Sequence, residues 1–199
     1  MPFGTGRGNA AVSALLACAW SLAAAAADAP ADLDRLMAEL ARNGAETVRF
    51  TEVRTSAALK QPIELRGTLS YVAPSHLEKH TVAPRDERLI VDRDTLVIER
   101  PATGERLTLR LTDYPAVRAF VESIRATLAG DLAALRRFYR VEIEGTAAQW
   151  RLYLLPREAD MAEFVQQVEI SGSGGRIARI EILEASGDRS VMTIAKGGA

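Results

Sequence analysis

Two histidines, His76 and His80, flank Glu78. On a β-strand, positions i, i+2 and i+4 share one face, so the three side chains could line one edge of a metal site. The spacing argues against it. A strand rise of roughly 3.3 Å per residue puts the two histidines about 13 Å apart. One zinc ion would hold both nitrogens at about 2 Å. The segment reads as a polar strand face, and no metal is expected. "SGSGG" at 171–175 has the glycine density of a phosphate loop. A strand pattern follows it, however, and no lysine or threonine is placed to assist, so it reads as a hairpin turn. No G-x-S-x-G elbow occurs, and the histidines have no evident serine partner. The carboxylates alternate with apolar residues, as solvated strand faces do. No catalytic group and no cofactor is expected, and the chain does not read as an enzyme.

The first residues read as an address. Arg7 is the only charge before Asp28, and "AAVSALLACAWSLAAAAA" runs from Ala10 to Ala27. A basic start, an apolar middle and an Ala-x-Ala end make a secretory signal peptide. Cleavage after Ala27 is expected, with 28–199 as one domain. An uncleaved anchor is the competing reading, but the stretch is mostly weakly hydrophobic alanine. "LLAC" ending at Cys18 resembles a lipobox. Leu16 and the apolar run beyond Cys18 weigh against lipidation. Cleavage removes Arg7 and the single cysteine, leaving 24 basic against 26 acidic residues. Without disulfides the core must supply the stability, and a chain of this size can do so. No basic surface points to nucleic acid.

The remaining chain must therefore position apolar groups. Leu33, Leu36, Met37, Leu40 and Ala41 fall on one helical face, with Asp32 as N-cap and Asn43-Gly44 as the stop. The period then changes to two. Val48 and Phe50 alternate with polar positions, and in "PIELRGTLSYV" Ile63, Leu65, Leu69 and Tyr71 share a face. "HLEKHTV", "ERLIVDRDTLVIER" with a turn at Arg93-Asp94, and "ERLTLRLT" continue the pattern. A helical insert follows. Asp113 is its expected cap, Pro115 fits its first turn and Gly130 ends it. Asp131 caps a second short helix through Leu132 and Leu135. Strands resume at "FYRVEIEG" and run to "RSVMTIAK", with a turn from Pro156 to Ala159. The total is about eleven strands, with the helices after the sixth. So many antiparallel strands should curl, and the helices suffice only to fill the open side.

The inner face of that sheet is expected to carry Phe50, Ile63, Leu65, Leu69, Tyr71, Leu96, Ile98, Leu107, Leu109, Trp150, Leu152 and Leu154. Val117, Phe120, Val121, Ile124 and Leu128 form a stripe on the inserted helix, the natural lid. Patterning alone leaves two readings open: a closed core filled by these side chains, or a cavity wall.

The order of segments resembles the outer-membrane lipoprotein carriers of the LolA family. A leading helix precedes "VRF" with Phe50, then "GTLSYVAPSHLEK" with Gly67, Leu69, Tyr71 and Pro74. Paired strands follow at Leu89 to Val91 and Leu96 to Ile98, then "WRLYLLP" and "GDRSVMTI". The resemblance spans Leu33 to Ile194 and looks like a divergent branch. It implies an incomplete, half-open antiparallel β-barrel of eleven strands with helices as lid. It also implies a periplasmic monomer whose cavity takes lipoprotein or lipid acyl chains. The cavity would comprise Phe50, Leu65, Leu69, Tyr71, Leu96, Ile98, Leu109, Trp150, Leu152 and Leu154, and the lid the stripe from Val117 to Leu128. An ATP-driven inner-membrane exporter would load it and an outer-membrane receptor unload it. In the family an arginine precedes the strand-ending proline and latches the lid. Here Ala73 stands there, with Arg66 and Arg85 as substitutes to consider. A sensor or envelope assembly factor of the same fold is the first alternative function, and a periplasmic lipid hydrolase the second.

Overall fold

A computed structural model describes residues 31–43 and 45–195. The expected signal segment with its cleavage point after Ala27, the Cys18 alternative and Gly44 lie outside the described residues. The first helix, α1 (Leu33–Leu40), starts where Asp32 accepts a hydrogen bond from the Arg35 amide at 2.8 Å. It buries Leu36, Met37 and Leu40. Six strands follow: β1 (Ala45–Thr55), β2 (Ile63–Val72), β3 (His76–Ala83), β4 (Glu87–Asp92), β5 (Thr95–Arg100) and β6 (Glu105–Arg110). A 3₁₀ turn at Leu111–Asp113 leads into α2 (Pro115–Ala129) and α3 (Leu132–Phe138). The chain then forms β7 (Tyr139–Thr146), β8 (Gln149–Pro156), the single turn α4 (Ala159–Ala162), β9 (Val165–Ser173), β10 (Arg176–Glu184) and β11 (Arg189–Ile194).

All eleven strands form one antiparallel sheet in the order β6-β5-β4-β3-β2-β1-β11-β10-β9-β8-β7. The first strand lies at its middle, because β1 pairs with both β2 and β11. β6 and β7 are the two edges and do not pair with each other, so the barrel stays incomplete. The segment that joins these edges is the helical one, which carries α2 and α3 across the open side. This is the expected strand count, with the insert after the sixth strand.

Curling needs local exceptions to a flat ladder. Gly67 faces Phe50 across the β1–β2 pair, and a Cβ there would lie 1.9 Å from the His80 carbonyl oxygen. The β2–β3 register shifts between Arg66 and Gly67. A bulge with a bare backbone increases local twist, so the glycine of "GTLSY" is where β3 folds in over β2. Gly130 ends α2 at φ +67°, and a Cβ there would lie 2.1 Å from the Met37 carbonyl oxygen, so it also lets α1 approach.

Two local expectations need correction. Asp113 does not cap α2. Tyr114 holds that position with no side-chain cap bond, and Asp113 pairs instead with Arg110 at 3.3 Å. The strand-to-strand link after Pro156 is more than a turn, since it contains α4, which buries Met161. Four residues are too few for a helical period to show. Asp131 does cap α3, accepting from the Ala134 amide at 2.8 Å. No helix among the described residues is long and apolar enough to cross a membrane.

Candidate lipid-binding cavity

Pairing in the sheet assigns each side chain to a face. Phe50 stands opposite Gly67, Val48 opposite Leu69 and Glu52 opposite Leu65, so these inner-face positions follow one another along β1 and β2. Across β8 and β9, Leu152 meets Ile170 and Leu154 meets Val168. The expected inner-face alternation therefore exists on both halves of the trough. The helices then treat the two halves differently.

On the β7–β10 half the trough is filled. Trp150 is 1% exposed, while Leu152, Leu154, Leu135, Tyr139 and Val168 are 0% exposed. These side chains pack with Leu36, Met37 and Leu40 of α1, with Met161 of α4, and with Phe120 of α2 at their margin. The Trp150 indole N–H donates to the Gly174 carbonyl at 2.7 Å. Trp150, Leu152 and Leu154 thus sit in closed core and do not line the cavity beneath α2. On the β2–β6 half, Tyr71, Leu77, Val91, Leu96 and Leu111 are buried beneath Val121. Leu69, Ile98, Leu109, Ile124 and Leu128 pack there only partly buried. Leu107 and Val117 remain exposed, as does Ile63 near the end of its strand, while Leu65 is half-buried.

A cavity of 340 Å³ lies between these halves. Its apolar wall is Leu40, Val48, Leu69, Ile170, Ile177, Ile180 and Ile194, with Ile124 and Leu128 of α2 above. Asn43, Glu46 and Arg176 supply polar groups to its lining. Of the expected cavity and lid residues, Leu69, Ile124 and Leu128 line this space. Ile177, Ile180 and Ile194 join them from outside the expected set, and the period-two pattern of "RIARIEILEA" and "RSVMTIAK" is the signal that turns Ile180 and Ile194 inward. A larger concavity of 850 Å³ lies on the outer face. It is lined by Arg151, Glu169, Arg179, Glu181 and Arg189, and Glu181 pairs with both Arg179 and Arg189.

Beyond Phe50, the inner face turns ionic. Glu52 is 2% exposed and accepts from the Lys79 ammonium, from Arg54 Nε at 2.6 Å and from the Ser190 hydroxyl at 2.7 Å. The Lys79 ammonium also lies 5.1 Å from the Phe50 ring centroid. Burial alone would push the Glu52 carboxyl up. The Lys79 charge and the three hydrogen bonds outweigh it and hold the carboxyl below its ordinary value. Burial draws the Lys79 ammonium down, and Glu52 opposes that shift. Arg100 extends the polar row with Glu87 and Glu105, each at 2.9 Å. This belt was not anticipated, because Lys79 lies in "LEKHT" and reads as a solvated position. Its neighbours His76, Glu78 and His80 do face outward, where His80 meets Asp86 at 2.9 Å.

The lid is held at the rim. Arg125 Nη1 donates to the Arg93 carbonyl in the β4–β5 turn at 3.0 Å, and also to Glu122 at 2.9 Å. Ser123 and Thr127, both buried on α2, donate to carbonyls of the same helix. Arg66 pairs with Glu64 at 2.6 Å with its side chain 68% exposed, and Arg85 is exposed. The arginine contact between lid and barrel therefore starts from the helix.

Comparison with known proteins identifies the family. The family described as outer membrane lipoprotein carrier protein LolA-like matches residues 24–199. An outer-membrane lipoprotein carrier protein of Pseudomonas fluorescens is 23% identical over 165 residues, covering 81% of this chain and 74% of the relative. A solved LolA superfamily protein from Nitrosomonas europaea is 13% identical, with coverage of 83% and 93% and a TM-score of 0.44. A chain in the MucA/MucB complex of Pseudomonas aeruginosa is 13% identical, with coverage of 85% and 59% and a TM-score of 0.43. With a family match across the whole described chain, and an eleven-stranded half-open sheet bridged by helices, this protein belongs to the outer membrane lipoprotein carrier protein LolA-like family.

Proposed function

We propose that this protein is a periplasmic carrier that shields acyl chains of lipoproteins or related lipids and ferries them from the inner to the outer membrane. The observation that carries the reading is the 340 Å³ cavity beneath α2, lined by Val48, Leu69, Ile180, Ile194, Ile124 and Leu128. That volume lies at the low end of the roughly 300–1,000 Å³ of small-molecule sites. If a methylene takes about the ~30 Å³ share of a water, the cavity holds about ten. At about 0.8 kcal/mol each they contribute about 8 kcal/mol before ordering costs, which makes micromolar affinity the upper limit for one chain. A carrier is served by affinity on the weak side of that limit, because much tighter binding would prevent delivery. Transfer then makes and breaks no covalent bond and requires only a receiver with a better apolar surface. An inner-membrane exporter and an outer-membrane receptor would load and unload a monomer.

Paired substitutions test the reading. Leu69→Glu places a carboxylate on the cavity wall, where water can follow it. Leu152→Glu places one in closed core, where an unpaired charge costs several kcal/mol. Leu69→Glu should abolish binding of a fluorescent acyl probe and melt near wild type, whereas Leu152→Glu should unfold. Wild type that binds no probe, with Leu69→Glu as unstable as Leu152→Glu, would show a filled core and end the carrier reading.

A further inference from the structure

Exposure grades the cavity wall from one end to the other. Glu46, Arg176 and Ala195 line it and are exposed, so they mark the mouth. Val48, Leu69 and Ile194 are half-buried along its length. The deepest lining side chains are Leu40 and Ile170, each 1% exposed, and Ile180 at 6%. This floor is not free-standing. All three residues belong to the core that fills the β7–β10 half, where Leu152, Leu154 and Val168 are 0% exposed. Within the sheet, Ile170 stands between Leu152 on β8 and Ile180 on β10.

The space behind the side walls is taken as well. Leu69 pairs across the sheet with Lys79, and Ile194 pairs with Phe50. Phe50 is 3% exposed. Glu52, next on the same face, is 2% exposed and accepts from Lys79, Arg54 and Ser190. A ligand that pushed past Phe50 would have to part a buried ion pair, which is strongly unfavourable.

Volume then sets the capacity. At the ~30 Å³ share of a water per methylene, 340 Å³ takes about ten methylenes, one chain of medium length. Three long acyl chains, about forty-five methylenes, would need about 1,350 Å³ at the same share. Protein interiors are close-packed, so small shifts of neighbouring side chains do not make up that difference.

We propose that the floor of Leu40, Ile170 and Ile180 acts as a ruler: the cavity takes one acyl chain to a depth of about ten methylenes and leaves any further chain outside. The inference rests on the carrier reading and adds to it a substrate class, lipids that insert a single chain of medium length. The surplus of a longer chain, and the other chains of a lipid with several, remain beyond the mouth at Glu46 and Arg176.

The test is displacement of a fluorescent acyl probe from the mature chain by hexanoate, octanoate, decanoate, dodecanoate, tetradecanoate and hexadecanoate, each below its micelle concentration. Affinity should rise about fourfold per methylene, the yield of burying one CH₂, and level off near decanoate to dodecanoate. Ile180→Ala removes three carbons from the floor and should move the plateau longer by up to about three methylenes. Val48→Phe adds bulk to the open space, away from the closed core, and should move the plateau shorter. It decides the matter should Ile180→Ala fail to fold. A second arm compares dioctanoyl phosphatidylcholine with its monooctanoyl lyso form. With one chain inserted, the two should bind within about twofold, because a second chain left outside adds only a statistical factor. Three results overturn the ruler and leave the carrier reading standing: affinity that keeps climbing to hexadecanoate in wild type, a plateau that no folded variant moves, or a dioctanoyl lipid bound more than about tenfold tighter than its lyso form. If neither the probe nor any of these lipids binds, both readings fail.

Discussion

Glu52→Met is expected to destabilise the protein by about 3–5 kcal/mol, the usual cost of stripping one partner from a buried ion pair. The magnitude follows from what is left behind. Lys79, with its side chain 14% exposed, would keep its approach to the Phe50 ring, 5.1 Å from the centroid, and the more distant charge of Glu87. A cation over an aromatic ring contributes about 0.5–2 kcal/mol and does not replace the carboxylate. The Ser190 hydroxyl, in a residue 8% exposed, would also lose its acceptor, whereas Arg54 is half exposed and can turn to water. At about 2–4 °C per kcal/mol for a chain of this size, the melting temperature should fall by about 6–20 °C. Glu52→Met combined with Lys79→Met removes both charges and should recover most of that loss, because a well-packed apolar pair is often as stable as a buried ionic one. The pH dependence has a definite sign. The folded-state carboxyl lies below its ordinary value, so its contribution is fully present above the unfolded value of about 4.3. That contribution is lost as pH falls through the folded-state value. The gap between wild type and Glu52→Gln should therefore narrow below about pH 4. Urea denaturation of the four proteins at neutral and acid pH measures all of this. A Glu52→Met variant as stable as wild type, or a double variant as unstable as the single one, would refute the reasoning.

Intact-mass measurement of secreted protein should find Asp28 as the first residue, and a diacylated mass starting at Cys18 would contradict that. Gly67→Ala forces a Cβ into the His80 carbonyl and should cost at least the ~1–3 kcal/mol of an overpacked core, read by thermal melting. Phe120→Ala should speed release of an acyl probe several-fold in stopped flow. Its stability loss should stay below the ~3–5 kcal/mol of a fully buried phenylalanine, because Phe120 is only partly buried. Zinc should leave the melting temperature unchanged, and a rise that His80→Ala abolishes would refute the assignment of His76–Ala83 to a strand.

The elements were largely legible in the residues, and the exceptions have local causes. Asp32, Gly130 and Asp131 act as the helix signals they resemble, since caps depend on a few neighbouring backbone groups. Asp113 fails as a cap because it ends the 3₁₀ turn Leu111–Asp113 and α2 starts one residue too late, with Tyr114 at the cap position. The cavity was less legible. Leu69 and Leu152 alternate in their strands in the same way, yet one lines open space and the other is fully buried. Neither strand encodes that difference, which arises because α1, α3 and α4 fill the β7–β10 half. The interior ion pair was hidden for a related reason. Lys79 and Glu52 lie 27 positions apart, and only the register across β2 brings them together.

By itself the sequence determined the strand and helix pattern, the inner face of β2, β5 and β8 and the family to which their order points. Period-two and period-3.6 spacing are properties of the local backbone and survive being read one segment at a time. Tertiary structure alone decided where the trough is filled, where it stays open beneath α2, and that an ionic belt lies past Phe50. Each of these depends on which distant element covers a given face, and covering is a contact between segments that no segment encodes alone.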